Sequence, residues 1–134
     1  MKAVAGVLLV ALGAAGCGDN RAIGEQVSGG VQQERAARQL LVRSAERGQR
    51  LIAEVGCGSC HTVPGVRGAE GKVAPPLYWF ARRTFIAGEV PNNYDNLVRW
   101  LKDPPSVEPG TAMPNLGLTD AQSRDIAAYL LTLQ

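Results

Sequence analysis

Cys57-Gly58-Ser59-Cys60-His61 is the stretch on which the reading of this chain turns. Two thiols three positions apart can add to the two vinyl groups along one side of a haem. The residue that follows then sets its imidazole against the iron. Three other readings are weaker. A zinc site needs four ligands, and outside this pentapeptide the chain offers no second cysteine or histidine cluster. A thioredoxin-like dithiol needs a strand–helix–strand setting, whereas the neighbours here are a helical stretch and a glycine-rich loop. A disulfide between Cys57 and Cys60 would leave both His61 and Met113 unexplained. One covalently held haem c is therefore the expected cofactor.

The rest of the composition narrows the field further. The 134 residues suit one modest domain, and the net charge of +2 is too small to argue for wrapping nucleic acid. There is one histidine, so no site needing two imidazoles from this chain can form. No Ser/His/Asp set is available for nucleophilic catalysis, and no glycine loop for cradling phosphate, so neither an enzyme nor a small-molecule substrate is signalled. With haem bound, His61 is the only imidazole for the proximal position. The sixth position is open to Met113, a lysine, water or nothing. Met113 is favoured because Pro109-Gly110-Thr111-Ala112-Met113-Pro114 is a loop, where core packing poorly accounts for a methionine and the prolines can hold a weak thioether bond. Such coordination raises the potential and leaves no open position, which favours outer-sphere electron transfer over a peroxidase or gas sensor.

At the other end, Lys2 precedes thirteen residues, Ala3 to Ala15, that carry no charge. They would rise only about 20 Å as a helix, short of the roughly 30 Å hydrocarbon core. A secretory signal over 1–16 fits better. Leu12-Gly13-Ala14-Ala15-Gly16-Cys17 resembles a bacterial lipoprotein signal, which implies lipidation at Cys17, a lipid anchor in a membrane and a periplasm-facing place in the bacterial cell envelope. Residues 17–30, with four glycines and no hydrophobic period, read as a flexible tether.

From Val31 to Val55 the pattern becomes helical. The part over 31–43 is a polar extension, and Leu40, Leu41, Ala45, Gly48, Leu51, Ile52 and Val55 form a face expected to dock on a core, ended by Gly56. Between Gly56 and Pro91 no strand is signalled. Asn93 should cap a helix over Tyr94 to Lys102, stopped by Pro104 and Pro105, and Pro104 to Gly117 reads as loop. Thr119 with Gln122 forms a capping box for a last helix running to about Leu133. The expected fold is all-α, with three or four helices and long loops around the haem.

Taken together, residues 44–134 resemble a class I c-type cytochrome. Gly48 and Ile52 match the family's first helix where it crosses the last, at Ile126 and Tyr129. Cys57, Cys60 and His61 match the attachment motif, and Met113 the distal ligand. Ala74-Pro75-Pro76-Leu77 resembles the family's Gly-Pro-x-Leu stretch, which implies a hydrogen bond from His61 Nδ1 to the Pro75 carbonyl. Arg82 or Arg83 and Trp100 resemble the usual partners of the haem propionates, and Leu77, Phe80, Leu97, Leu101 and Leu116 are the expected apolar wall. The resemblance implies a one-electron carrier in a respiratory chain. Its redox protein partners would be a terminal oxidase or a quinol-oxidising complex, and a fixed subunit of a larger oxidase or dehydrogenase is the variant reading. Between Cys57 and Met113 six basic residues face five acidic ones, so partner encounter should depend only modestly on salt.

Overall fold

The computed structural model describes residues 20–134, with side chains from residue 29 onward. The expected signal segment over 1–16 and the expected lipidation site Cys17 lie outside the described residues. In chain order the elements are helix α1 (Asn20–Glu54), strands β1 (Phe85–Ile86) and β2 (Val90–Pro91), and helices α2 (Tyr94–Lys102), α3 (Pro104–Val107) and α4 (Asp120–Leu130). Among the described residues the fold is all-α apart from one antiparallel hairpin, in which Phe85 pairs with Pro91 and Ile86 with Val90, and an isolated bridge between Thr62 and Glu70. Strands of two residues are too short to leave an alternating pattern, which is why none was signalled.

The chain divides at Glu34. Up to that residue it contributes the first part of α1, and Arg35–Gln134 form the unit described below. The residues from Asn20 to Gly30 are helical where an open tether was expected. No proline interrupts α1, and each glycine in it costs only about 1 kcal/mol relative to alanine, too little to stop a long helix.

Within the unit, α1 docks through a narrower face than its sequence suggests. Leu40 and Leu41 are 67% and 63% exposed, whereas Gly48 and Ile52 are buried. Two crossing helices diverge from their point of closest approach, and two turns away side chains no longer reach the partner. That point is Gly48, where an added Cβ would lie 1.9 Å from the Asp125 carbonyl oxygen of α4. Only glycine fits there. Ile52 and Ile126, both 1% exposed, meet below it with Leu97 of α2.

Caps fix the other helices. The Asn93 side chain accepts from the Asn96 N–H at 2.9 Å, which opens α2. At α4 the Gln122 N–H donates to the Thr119 hydroxyl at 3.3 Å, and the Thr119 N–H donates back to Gln122 Oε1 at 2.9 Å. Two boundaries differ from expectation. Pro104 and Pro105 start the single turn of α3 instead of a loop, because a first-turn proline lacks only an N–H that the helix does not use. Helix α4 ends at Leu130, and its tail turns so that the Leu133 carbonyl accepts from Ala81 N–H at 3.0 Å.

The crossing is pinned electrostatically. Asp125 accepts from Arg47 Nε at 2.7 Å and Arg47 Nη2 at 2.8 Å, and from the Ser44 hydroxyl at 2.5 Å. The Arg47 hydrogen bond holds the Asp125 carboxyl below the usual carboxylate range. A carboxyl depressed by folding contributes stability above its unfolded pKa of about 4, and loses it as pH falls through the folded value. Asp125→Asn should therefore destabilise the protein by about 1 kcal/mol at pH 7. In urea titrations the gap from the parent chain should close on acidification through the carboxylate range, and a gap that widens would contradict this account.

Candidate functional site

The site begins where α1 stops. Gly56 takes a left-handed φ of +79°, which turns the chain out of the helix and into a 3-10 turn over Cys57–Ser59. The Cys57 carbonyl accepts from the N–H groups of Cys60 at 3.3 Å and His61 at 3.0 Å, so the pentapeptide is one compact turn. A glycine-rich loop folds back over it. Gly71 N–H donates to the Gly58 carbonyl at 2.9 Å, and Thr62 Oγ1 donates to the Gly71 carbonyl at 2.9 Å. A Cβ on Gly71 would come within 2.5 Å of the Cys60 carbonyl carbon, so this close return also needs glycine. Both long helices hold the loop from behind. Tyr129 of α4 donates to the Pro64 carbonyl at 2.6 Å, and Gln49 of α1 donates to the Gly65 carbonyl at 2.7 Å.

The strap Ala74-Pro75-Pro76-Leu77 then passes the histidine. His61 Nδ1 lies 2.8 Å from the Pro75 carbonyl oxygen. A carbonyl can only accept, so Nδ1 carries a proton, and of the two neutral tautomers the contact selects the one with its lone pair on Nε2.

His61, Met113 and Cys57 line one cavity with an otherwise apolar wall. Ile52, Leu77, Phe80, Leu97, Trp100, Leu101, Ile126 and Leu130 complete it. Burial pushes the Cys57 thiol pKa up, so that sulfur is held as a neutral thiol. Cys57 and Cys60 are both free and half-buried, but Cys60 stands outside the cavity lining, with its sulfur 3.8 Å from the Ser59 hydroxyl. Among the described residues no three His, Cys, Asp or Glu side chains converge as a metal-binding group. One free imidazole nitrogen, one thioether and a thiol on apolar walls is a donor set that fits a flat, largely apolar iron porphyrin and does not fit zinc, which takes four ligands.

A family model described as Cytochrome c matches residues 45–134. The chain belongs to the cytochrome c family. It is a class I c-type cytochrome, a family whose members carry covalently bound haem c and transfer electrons. Among curated proteins, this cytochrome resembles cytochrome c oxidase subunit 2 of Bacillus subtilis (strain 168), with 38% identity over 94 residues that cover 67% of this chain and 26% of that protein. Cytochrome c oxidase subunit 2 of Alkalihalophilus pseudofirmus is 34% identical over 91 residues, and that of Bacillus sp. (strain PS3) 36% over 94. The cytochrome thus spans about a quarter of the length of the curated relatives it matches. No solved structure matches it significantly.

The structure brings most of the residues singled out in the sequence to this one place. Leu77, Phe80, Leu97 and Leu101 are in the wall, and so is Trp100, 8% exposed, for which the resemblance implies a propionate contact instead. Leu116 is not. The Asn115 side chain accepts from Gly117 N–H at 2.8 Å, and Gly117 takes a φ of +69°. This turn sends Leu118 inward and leaves Leu116 39% exposed. Of the two arginines, Arg82 is exposed, while Arg83 is half-buried with its guanidinium 5.2 Å above the Phe80 ring. Ile52 and Ile126 were expected only as helix-packing residues, and Leu130, one turn on from Ile126, joins them in the lining. Their helical spacing carried the signal, because the face that makes the crossing also faces the cavity.

Proposed function

We propose that this cytochrome is a monohaem electron carrier tethered to a membrane of the bacterial cell envelope, exchanging electrons with a respiratory terminal oxidase. The observation that carries the reading is the single cavity that His61, Met113 and Cys57 share. Haem c bound there supplies one-electron chemistry between ferric and ferrous iron. The chain's own residues do the rest. Cys57 and Cys60 would make the thioether links, and His61 would ligate through Nε2 while the Pro75 carbonyl holds its other nitrogen, with Met113 of the 109–114 loop as the second ligand. Apolar side chains from α1, α2 and α4 exclude water, which favours the lower-charged state and limits reorganisation.

The oxidase as partner is supported by the relatives, each of which is named as subunit 2 of a cytochrome c oxidase. The same names favour a second reading, a subunit fixed in an oxidase complex. Co-purification that survives salt and detergent washing would favour the fixed subunit, and release would favour the carrier. Membrane attachment rests on the Cys17 lipidation motif, since among the described residues no helix is long and apolar enough to cross a membrane.

The deciding experiment is an alkaline pyridine spectrum with intact-mass measurement on the matured protein. One haem per chain, a double thioether signature and a lipid adduct are expected, and a colourless or zinc-bearing protein would overturn the reading. Met113→Leu should open the iron to cyanide and lower the potential by a few tenths of a volt, part of the roughly 0.8 V over which axial ligands act. Redox titration with ligand binding checks this. Cys17→Ser should move a folded, red protein from the membrane to the soluble fraction, read by fractionation.

A further inference from the structure

We propose that Arg83 is a positioning residue for the histidine ligand: by holding the Pro76 carbonyl it fixes the two-proline strap whose Pro75 carbonyl takes the proton of His61 Nδ1. The inference rests on the haem reading above and concerns a contact which that reading does not use.

The strap is short of donors. Its ends are tied by backbone N–H groups, Ala74 to the Cys60 carbonyl at 2.9 Å and Leu77 to the Thr62 carbonyl at 2.8 Å. Between them stand two prolines, neither of which has an N–H to give. Pro75 and Pro76 are both exposed, so no overlying side chains clamp them. The middle of the strap can be held only through its two carbonyls. Pro75 spends its own on His61, and Pro76 accepts from Arg83 Nη2.

Arg83 is built to be a fixed donor. Its guanidinium lies 5.2 Å from the centroid of Phe80, a buried residue of the cavity wall. Its backbone is held in turn, because Arg83 N–H donates to the Phe80 carbonyl at 3.1 Å. Asn92 Nδ2 donates to both the Arg83 carbonyl, at 3.1 Å, and the Phe80 carbonyl, at 2.8 Å. A planar, stacked fork loses little freedom in making such a bond, which lysine cannot match. Arg82, next in sequence and exposed, makes no such contact. The chain of constraint therefore runs from Asn92 through Arg83 and Pro76 to the Pro75 carbonyl and the imidazole.

The test is proton exchange at His61 Nδ1, followed by NMR in the ferrous, haem-loaded full chain. Arg83→Met should exchange about tenfold faster, the effect of losing one hydrogen bond from a charged donor. Arg83→Lys, which keeps charge and a donor but not the stacked fork, should exchange several-fold faster. Lys72→Met removes one exposed positive charge two residues before the strap and should leave the rate unchanged. Equal rates in both Arg83 variants and the parent overturn the proposal, as does a Lys72→Met rate raised as much as that of Arg83→Met. If Arg83→Met fails to hold haem, the lysine variant decides alone. A parent chain that carries no haem would instead sink the haem reading, and the pyridine spectrum tells the two failures apart.

Discussion

One imidazole serves the whole chain, so the protein's chemistry depends on where His61 keeps its proton. The Pro75 carbonyl at 2.8 Å answers that, by making Nδ1 the donor and freeing Nε2. A second-sphere bond of this kind does three things at once: it selects the tautomer, stops ring rotation and makes the free nitrogen more basic. Much of the surrounding structure serves to hold these two atoms. The left-handed Gly56 ends α1 so that His61 leaves the helix at a fixed angle, and the 62–71 loop folds back to lock the turn from the other side.

The helix crossing sets the frame in which that bond can form. Because Gly48 lets the backbones of α1 and α4 nearly touch, residues at the crossing and one turn beyond it reach the same cavity from two sides: Ile52 from α1, Ile126 and Leu130 from α4. The same pair of helices supplies Gln49 and Tyr129, whose hydrogen bonds hold the carbonyls of Gly65 and Pro64. A side chain at position 48 would thus act beyond local packing. Pushing α4 away would move part of the wall and one anchor of the histidine loop together.

How much of this could be read from sequence depended on the range of the interaction concerned. The caps at Asn93 and Thr119 were legible, because a capping side chain bonds within three residues of itself. The attachment pentapeptide was legible for the same reason, and the Gly48 crossing through resemblance. Leu116 was misassigned because its direction is set by the Asn115 side chain folding onto Gly117, a turn that hydrophobic pattern does not encode. The different surroundings of Arg82 and Arg83 were equally hidden. The contacts of Arg83 are to a ring at Phe80 and a carbonyl at Pro76, which only the folded chain brings together.

The start of the cytochrome domain also has a physical meaning that helix boundaries miss. Helix α1 runs unbroken from Asn20 to Glu54, yet the family match begins at residue 45. Burial changes at the same place: Leu40, Leu41 and Val42 are more than half exposed, and Ser44 is the first side chain to bond α4. Nearly every contact that fixes the site lies within the matched span, including Arg47 to Asp125, Gln49 to Gly65 and Tyr129 to Pro64. A segment that encloses its own caps, crossing and ligand loop needs little from neighbouring sequence. This accounts for a match confined to about a quarter of a much longer oxidase subunit. The boundary that matters is therefore the residue at which a continuous helix acquires a partner.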